Sequence, residues 1–277
     1  ISFMLYIFGF MAFVSNLKRK NLKHQFALFC WVHMSLMLIV LSSHFLVDNI
    51  LEGVIWFWVP ASLVICNDVF AYICGMIFGR TPLISLSPKK TVEGFIGALL
   101  ITLVFAWFWA GFFQRFDYMV CPAVSLGMSA FHPPKCNVNP VFLLHKTPLP
   151  ATLANGLTAV MGRPITTISW TPFQWHAVVM AAFASLVAPF GGFFASGFKR
   201  AFKIKDFGHS IPGHGGLTDR FDCQFLMGLF SYVYYSSLIR ESRISVQMVM
   251  QLIITQLPVE EQKQLLYKLT SYLADEN

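Results

Sequence analysis

The sequence predicts an all-α protein, a polytopic bundle of transmembrane helices with charged loops on one side and a C-terminal amphipathic helix. Hydrophobic residues make up 56% of the chain and charged residues only 12%, whereas a soluble domain carries about 25% charge. Several long stretches also lack Asp, Glu, Lys and Arg. The chain begins at Ile1 inside an apolar run, so we expect further residues upstream.

Six apolar segments are candidates for spans, since a transmembrane helix needs about 20 residues. Three contain no charged residue: 1–17, 26–47 and 94–114. Three others contain polar or helix-breaking residues or are short: 53–79, 173–197 and 223–239. Because irregular or polar backbone is tolerated at membrane depth only where protein or water satisfies it, these three are predicted to be broken or cavity-lining helices.

The basic residues predict the orientation. Loops 18–23, 80–90 and 199–220 hold twelve of the twenty Lys and Arg residues, and short cytoplasmic loops are enriched in both. Alternation of the spans places all three loops on the cytosolic side and the long loop 115–172, expected to be irregular, on the other. Cys121 and Cys136 share that long loop and either form a disulfide in an oxidising lumen or remain unpaired.

The end of the chain has a different pattern. We divide the sequence into a membrane domain over residues 1–240 and a tail over 241–277. Within the tail, residues 259–273 place leucines at helical spacing opposite charged residues, which predicts an amphipathic helix. That helix would either pack on the protein or lie on the membrane.

The loop from Ser196 to Asp222 concentrates charge between two apolar segments. It contains five cations, three carboxylates and two histidines. Asp219 and Asp222 are three residues apart at the start of a predicted helix, so their carboxylates could together hold Mg²⁺. Capping of the helix by an acidic pair is the alternative explanation.

The rest of this loop is typical of a polyphosphate site. Its glycines, which include Gly215 and Gly216, allow the backbone to approach a ligand closely. The surrounding cations would offset phosphate charge; they are Lys199, Arg200, Lys203, Lys205 and Arg220. Basic clusters beside a membrane can instead set topology or attract anionic lipid, but that alternative leaves the acids and glycines unexplained.

A second polar segment lies earlier in the chain. Asp68 is an ionisable residue inside an apolar span, which makes it a candidate functional residue. Lys89 and Lys90 lie in a predicted turn, Ser87–Thr91, just before the next span. A basic anchor with a helix cap would also account for that turn. Because both basic loops are predicted on one membrane face, we expect one shared site.

These two segments resemble phosphatidate cytidylyltransferases, also called CDP-diacylglycerol synthases. The resemblance is strongest from Ser196 to Asp222. The segment from Asp68 to Gly94 also resembles the family, so the resemblance covers roughly residues 60–240. Bacterial relatives carry an acidic residue four positions before the serine, where this chain has Gly192. The chain therefore looks like the eukaryotic branch, and another group would replace the missing acid.

The resemblance implies transfer of the cytidylyl group of CTP to phosphatidic acid, with Mg²⁺ as cofactor, giving CDP-diacylglycerol and pyrophosphate for phospholipid biosynthesis. It also suggests the endoplasmic reticulum membrane, with the active site facing the cytosol. The expected partners are CTP, phosphatidic acid and membrane lipid, with a homodimer left open. Since the net charge of +7 is concentrated in few loops, no nucleic-acid partner is expected.

The site residues follow from matching positions. Asp219 is the expected principal metal ligand and Asp222 the second, while Asp68 supports the metal or orients a basic side chain. His214 donates to a phosphate or to its own turn, and Ser196 ligates metal or phosphate. Arg220 binds substrate or pairs with the acids. The other expected phosphate- or substrate-binding residues are Lys199, Arg200, Lys205, Asp206, Gly215, Gly216, Lys89 and Lys90.

Three alternative functions remain open at this point. A CTP-dependent lipid kinase would use the same metal, nucleotide and membrane surface but would leave CDP. A transporter would carry polar residues deep in several spans, whereas here, Asp68 apart, the charges lie in loops. A non-catalytic lipid-binding protein would need the basic loops but not Asp219 and Asp222.

Overall fold

The computed structural model describes residues 1–84, 87–123, 129, 136–149, 162, 167–208, 210, 215–240 and 246–275, with backbone alone at 87–89, 246–248 and 275. It confirms the predicted all-α class. The chain forms two compact units, Ile1–Ile239 and Arg240–Asn277.

The first unit begins with a helical hairpin. Helix α1 (Ser2–Ser15) is followed by a 3₁₀ turn (Arg19–Asn21) and helix α2 (Leu22–Leu36). A π-helical turn (Met37–Leu41) joins α2 to α3 (Ser42–Glu52) without a break. Helix α3 ends at Glu52, and the chain turns at Gly53, whose φ of 144° suits glycine.

Helices α4 (Ile55–Phe78) and α5 (Val92–Phe113) form the centre of the first unit. Although α4 contains Pro60, it is continuous. Of the two predicted alternatives, a broken or a cavity-lining helix, the second applies, because Asn67 and Asp68 line a cavity. Small side chains at every fourth position form the buried face of α5 and let the helix axes approach closely: Gly94, Ala98, Thr102, Ala106 and Ala110.

Four further helices of this unit lie in the described residues: α6 (Asp117–Val120), α7 (Pro172–Leu186), α8 (Pro189–Ala201) and α9 (Thr218–Tyr234). A π turn (Tyr235–Ile239) extends α9. The predicted break lies between α7 and α8, before Pro189. In the core, Trp56 meets Phe173 edge to face, with ring centroids 5.3 Å apart. Ser231 donates to the carbonyl of Trp56 at 2.7 Å, which ties α9 to α4.

Among the described residues, two small antiparallel sheets lie in the connections, where the sequence predicted turns or irregular structure. Strands β1 (Pro82–Ile84) and β2 (Ser87–Thr91) pair before α5, so the predicted turn at Ser87–Thr91 is a strand. Strands β3 (His145–Pro148) and β4 (Thr167–Trp170) pair in the long loop, which also contains a 3₁₀ turn (Pro140–Phe142).

A disulfide joins Cys121 to Cys136 in the long loop. The sequence left this pairing open. Cys121 directly follows α6, near the C-terminal end of α5, whereas Lys90 and Thr91 precede the N-terminal end of α5. The disulfide and the basic hairpin are thus at opposite ends of this helix.

Four helical stretches among the described residues are long and apolar enough to cross a membrane: Arg19–Glu52, Ile55–Phe78, Val92–Phe113 and Pro172–Ala201. They coincide with four of the six predicted spans. Helix α1 is shorter, with 14 residues. The protein is therefore an integral membrane protein.

The second unit contains helices α10 (Val246–Gln256) and α11 (Val259–Asp275). Helix α11 includes the predicted amphipathic segment. Glu260 and Lys263 form an exposed ion pair at 3.1 Å on its surface.

The contact between α4 and α5 gives a first testable prediction. A Cβ atom at Gly94 would lie 2.6 Å from the carbonyl oxygen of Ala71, which is backbone and cannot rotate away. We expect Gly94→Ala to lower the free energy of unfolding by about 1–3 kcal/mol, measured as a lower thermal midpoint in detergent. Gly9→Ala is the control, since no heavy atom lies within 4 Å of its added Cβ. Equal midpoints for both variants would contradict the close packing described here.

Candidate active site

An ion pair closes the loop between α8 and α9. Lys199, near the end of α8, places its Nζ 2.6 Å from Oδ1 of Asp219, in the first turn of α9. The side chains are only 15% and 6% exposed, respectively. Because a buried charge without a partner is costly, each residue holds the other in place.

The second oxygen of Asp219 organises the loop backbone. Its Oδ2 accepts hydrogen bonds from the backbone N–H of Phe207 at 2.8 Å and of Gly216 at 3.1 Å. Asp219 thereby joins both sides of the loop to the start of α9. No side chain caps the N-terminus of α9, so the capping explanation is not confirmed: the donors that Asp219 satisfies belong to the preceding loop.

Hydrogen bonding and burial act in opposite directions on the ionisation of Asp219. Burial by itself raises the pKa of this carboxyl, but the Lys199 ammonium and the N–H groups of Phe207 and Gly216 stabilise the charged form more strongly. The pKa therefore lies below its ordinary value. Asp219 is a carboxylate at neutral pH.

Glycines allow two segments of this loop to pack closely. A Cβ at Gly216 would lie 2.9 Å from the backbone nitrogen of Gly208, and one at Gly215, which has a φ of 83°, would lie 3.1 Å from the Asp206 carboxyl. In the described part of the loop, these glycines bring the chain close to itself.

Asp222 lies one turn further along α9, beside Gly192 of α8. Its Oδ1 accepts a hydrogen bond from the N–H of Cys223 at 2.7 Å. A Cβ at Gly192 would lie 3.1 Å from Sγ of Cys223 and 3.5 Å from Oδ2 of Asp222. The absence of a side chain at Gly192 therefore lets α8 pack closely against α9 beside this carboxylate.

The second polar segment lies close to the first. Asp68 of α4 interacts electrostatically with Lys90 and with Asp222. The Lys90 ammonium also lies 4.7 Å from the centroid of the Phe193 ring in α8, a cation–π distance. Residues far apart in sequence, on α4, β2, α8 and α9, thus meet in one region.

The β1–β2 hairpin that carries Lys90 is attached to α5 by Glu93. The carboxylate of Glu93 accepts a hydrogen bond from the Thr81 hydroxyl at 2.7 Å and others from the N–H groups of Arg80 and Thr81. The Thr91 hydroxyl accepts from the N–H of Gly94 and caps α5. Glu93 was not among the predicted site residues, although an acid directly after the basic segment was a usable signal.

Two cavities open in this region. One, of about 250 Å³, lies between α4, the hairpin, α5 and α8; most of its lining is apolar, but Asp68 and Lys90 border it, and we call it the polar cavity for these two groups. The second, of about 240 Å³, is mostly apolar and lies between α2, α8 and α9, with Asp222 on its wall. Asp222 therefore borders an apolar cleft while remaining within electrostatic range of the polar cavity.

The other predicted residues are placed as follows. Arg200, Lys205 and Arg220 are exposed, and Ser196 and Asp206 are partly buried. The backbone of Lys89 lies in β2. His214 lies outside the described residues. Across the described ranges, no three His, Cys, Asp or Glu side chains form a metal-binding group, so a bound cation would take further oxygens from water or substrate.

Together, the fold and the site define a class: a polytopic membrane protein that brings acids and cations together around a glycine-containing loop, as expected for binding a phosphorylated ligand with a divalent cation. Residues 1–238 match the cytidylyltransferase family. The chain belongs to this family.

Curated relatives agree with that assignment. The chain is 49% identical over 275 residues to Phosphatidate cytidylyltransferase 1 of Arabidopsis thaliana, covering 99% of this chain and 63% of the relative. It is 47% identical over 257 residues to Phosphatidate cytidylyltransferase of Saccharomyces cerevisiae, covering 93% and 55%. It is 50% identical over 240 residues to Phosphatidate cytidylyltransferase 1 of Homo sapiens, covering 87% and 51%. The chain thus spans between about half and two thirds of the length of these relatives.

Proposed function

We propose that this chain carries the catalytic site of a phosphatidate cytidylyltransferase, which transfers the cytidylyl group of CTP to phosphatidic acid. The observation that carries the proposal is the meeting of the Lys199–Asp219 pair, Asp222 and the Asp68–Lys90 segment beside an apolar cleft. Three relatives named as phosphatidate cytidylyltransferases, each at least 47% identical, support the same substrates.

The reaction is a displacement at phosphorus. A phosphate oxygen of phosphatidic acid attacks the α-phosphorus of CTP, and the bond between that phosphorus and the oxygen bridging to the β-phosphate breaks. CDP-diacylglycerol and pyrophosphate result. Because the attacking phosphate is already anionic, the protein needs no Ser/His/Asp triad, and its contribution is positioning and electrostatic stabilisation.

Cationic side chains would hold the phosphates. Lys90 lies at the polar cavity and Lys199 at the loop, where its pairing with Asp219 fixes its position. Exposed Arg200 and Lys205 would guide the triphosphate towards the loop by charge. Asp68 would orient Lys90 through their electrostatic interaction. The proposed substrate contacts also include Lys89, Arg220, His214, Ser196, Asp206, Gly215 and Gly216.

The residues present fit a Mg²⁺ ion. Carboxylates are preferred ligands of this cation, and no side chain from Gly192 covers Oδ2 of the neighbouring Asp222. Asp222 and Asp219 would hold the ion, with the Ser196 hydroxyl as a further oxygen donor. When bound, Mg²⁺ would neutralise charge on the phosphates. Asp219 has a structural task as well, since its carboxylate already accepts three hydrogen bonds.

We further propose that the active site faces the cytosol, in the endoplasmic reticulum membrane. Three basic loops on one side support this orientation. The Cys121–Cys136 disulfide at the other end of α5 supports it too, because disulfides persist in an oxidising lumen. The product would serve phospholipid biosynthesis, including phosphatidylinositol and phosphatidylglycerol. We also propose that the protein forms a homodimer.

Isotope labelling tests the reaction directly. Purified protein would be incubated with phosphatidic acid, Mg²⁺ and CTP labelled at either the α or the γ phosphate. We expect label in the lipid product from α-labelled CTP only, and release of pyrophosphate. Transfer of the γ label to lipid would identify a kinase. Absence of labelled lipid with either labelled form of CTP would overturn the proposed function.

A further inference from the structure

The polar cavity contains more than phosphate-binding groups. Its lining combines an amide, a carboxylate, an ammonium and three aromatic rings: Asn67, Asp68, Lys90, Tyr72, Phe95 and Phe193. They come from α4, β2, α5 and α8. A site for phosphate alone would not require this mixture.

The charges at the cavity favour a neutral ligand. Asp68 and Lys90 attract each other, and the Lys90 ammonium is also held near the Phe193 ring. Beside Asp68, a phosphate would be repelled by the carboxylate, and a bare cation would be repelled by the nearby Lys90 ammonium. The two charges offset each other, so the space between them accommodates a polar but uncharged group best, while Lys90 can still bind a phosphate of the same ligand, as proposed above.

An uncommitted amide lies on the same wall. Asn67 is only 2% exposed, and no described residue donates a hydrogen bond to its Oδ1. A buried polar atom without a partner is costly, so a ligand that supplies one would be stabilised. An amide offers both a donor and an acceptor and can reverse them by rotating half a turn.

The aromatic residues supply flat apolar surfaces. Phe193 is 7% exposed and held firmly in the fold, whereas Tyr72 is 71% exposed at the edge of the cavity. Planar bases stack on such rings, and stacking tolerates every base because each has a π-face. The lining thus offers hydrogen-bonding groups for the edge of a planar ligand and the exposed Tyr72 ring for its face, whereas the Phe193 ring already lies beside the Lys90 ammonium.

We propose that this cavity binds the cytosine ring of CTP and selects cytosine over uracil. This inference rests on the proposed function and adds the source of its nucleotide specificity. Asp68 accepts a hydrogen bond from the 4-amino group of cytosine, as acidic side chains do in DNA recognition, while the Asn67 amide pairs with the neighbouring edge. Uracil carries an oxygen at position 4, which the Asp68 carboxylate repels. Asp68 lies near enough to Asp222 for their charges to repel each other, so the base cavity adjoins the proposed metal site and the triphosphate would extend from one to the other.

The test compares CTP with UTP in Asp68→Asn. An asparagine can donate to the 4-oxygen of uracil, so we expect the ratio of kcat/KM for CTP over UTP to fall by roughly tenfold or more. The same preference would be measured by binding: CTP and UTP would each compete with labelled CTP for detergent-purified protein in the absence of lipid.

Asp48→Asn is the control, since Asp48 is an acid in an apolar helix that pairs with exposed His44. The ratio of kcat/KM for CTP over UTP in this variant should match that of the unmodified protein. If Asp68→Asn lowers activity with both nucleotides in parallel, Asp68 acts only on Lys90 or the metal and the base pocket is overturned.

A second variant tests the pocket even if Asp68→Asn does not fold. Tyr72→Ala alters an exposed side chain and should weaken CTP binding roughly tenfold through loss of stacking. Tyr267→Ala, which removes a tyrosine 75% exposed on α11, should leave binding unchanged. Unaltered CTP affinity in Tyr72→Ala together with an unaltered ratio in Asp68→Asn would refute the pocket. If the unmodified protein binds CTP more tightly than UTP but transfers no cytidylyl group, the proposed reaction is rejected and the proposed base pocket stands. If it binds neither nucleotide, the base pocket is rejected.

Discussion

Replacing Asp222 with asparagine should reduce CDP-diacylglycerol formation about a hundredfold or more, while the protein remains folded. Asn keeps the shape of the side chain and can still accept the hydrogen bond from the N–H of Cys223. It removes the negative charge of the proposed metal ligand, and loss of one preorganised electrostatic group typically costs a factor of about 10²–10³ in rate. The measurement is the initial rate at saturating CTP over a Mg²⁺ titration, in which the variant should also need more Mg²⁺.

Asp117→Asn is the matched control for Asp222→Asn. Asp117 is an exposed acid in α6, beyond the end of α5 opposite the hairpin. Its replacement should leave both the rate and the Mg²⁺ requirement unchanged. An Asp222→Asn enzyme with the rate and Mg²⁺ dependence of the unmodified protein would remove Asp222 from the proposed metal site.

The Lys199–Asp219 pair should affect stability and activity separately. Lys199→Met leaves Asp219 without its cation at 6% exposure, and breaking a buried pair in this way costs about 3–5 kcal/mol. We therefore expect a large fall in thermal midpoint in detergent and loss of activity. Asp219→Asn should also abolish activity, because it removes a proposed metal ligand and an acceptor of the loop backbone.

The double variant Lys199→Met/Asp219→Leu distinguishes the two roles. Apolar residues of similar volume often replace a buried pair at little cost, so its thermal midpoint should recover towards that of the unmodified protein. Activity should not recover, because no carboxylate remains at position 219. Recovery of both properties would show that Asp219 only supports the fold. Lys263→Met, which breaks the exposed pair with Glu260, should change neither property, since such pairs contribute about 0–1 kcal/mol.

Hydropathy located four membrane-crossing stretches because the cost of placing a side chain in hydrocarbon is largely set residue by residue. The break before Pro189 was predicted for the same local reason, since proline interrupts a helix. Pro60 shows the limit of that argument: α4 continues through it, because neighbouring helices can satisfy the freed backbone groups. The strand at Ser87–Thr91 was missed because it depends on pairing with β1 and on hydrogen bonds from the hairpin to Glu93.

By itself, the sequence determined the membrane class, the segments that carry charge and the resemblance to a nucleotide-using family, since composition and linear spacing encode these properties. Only the tertiary structure decided which charges meet. It paired Lys199 with Asp219, placed Gly192 beside Asp222 and brought Asp68 to Lys90. The physical reason is that electrostatic interactions depend on distance in space, and helix packing rather than position along the chain sets that distance.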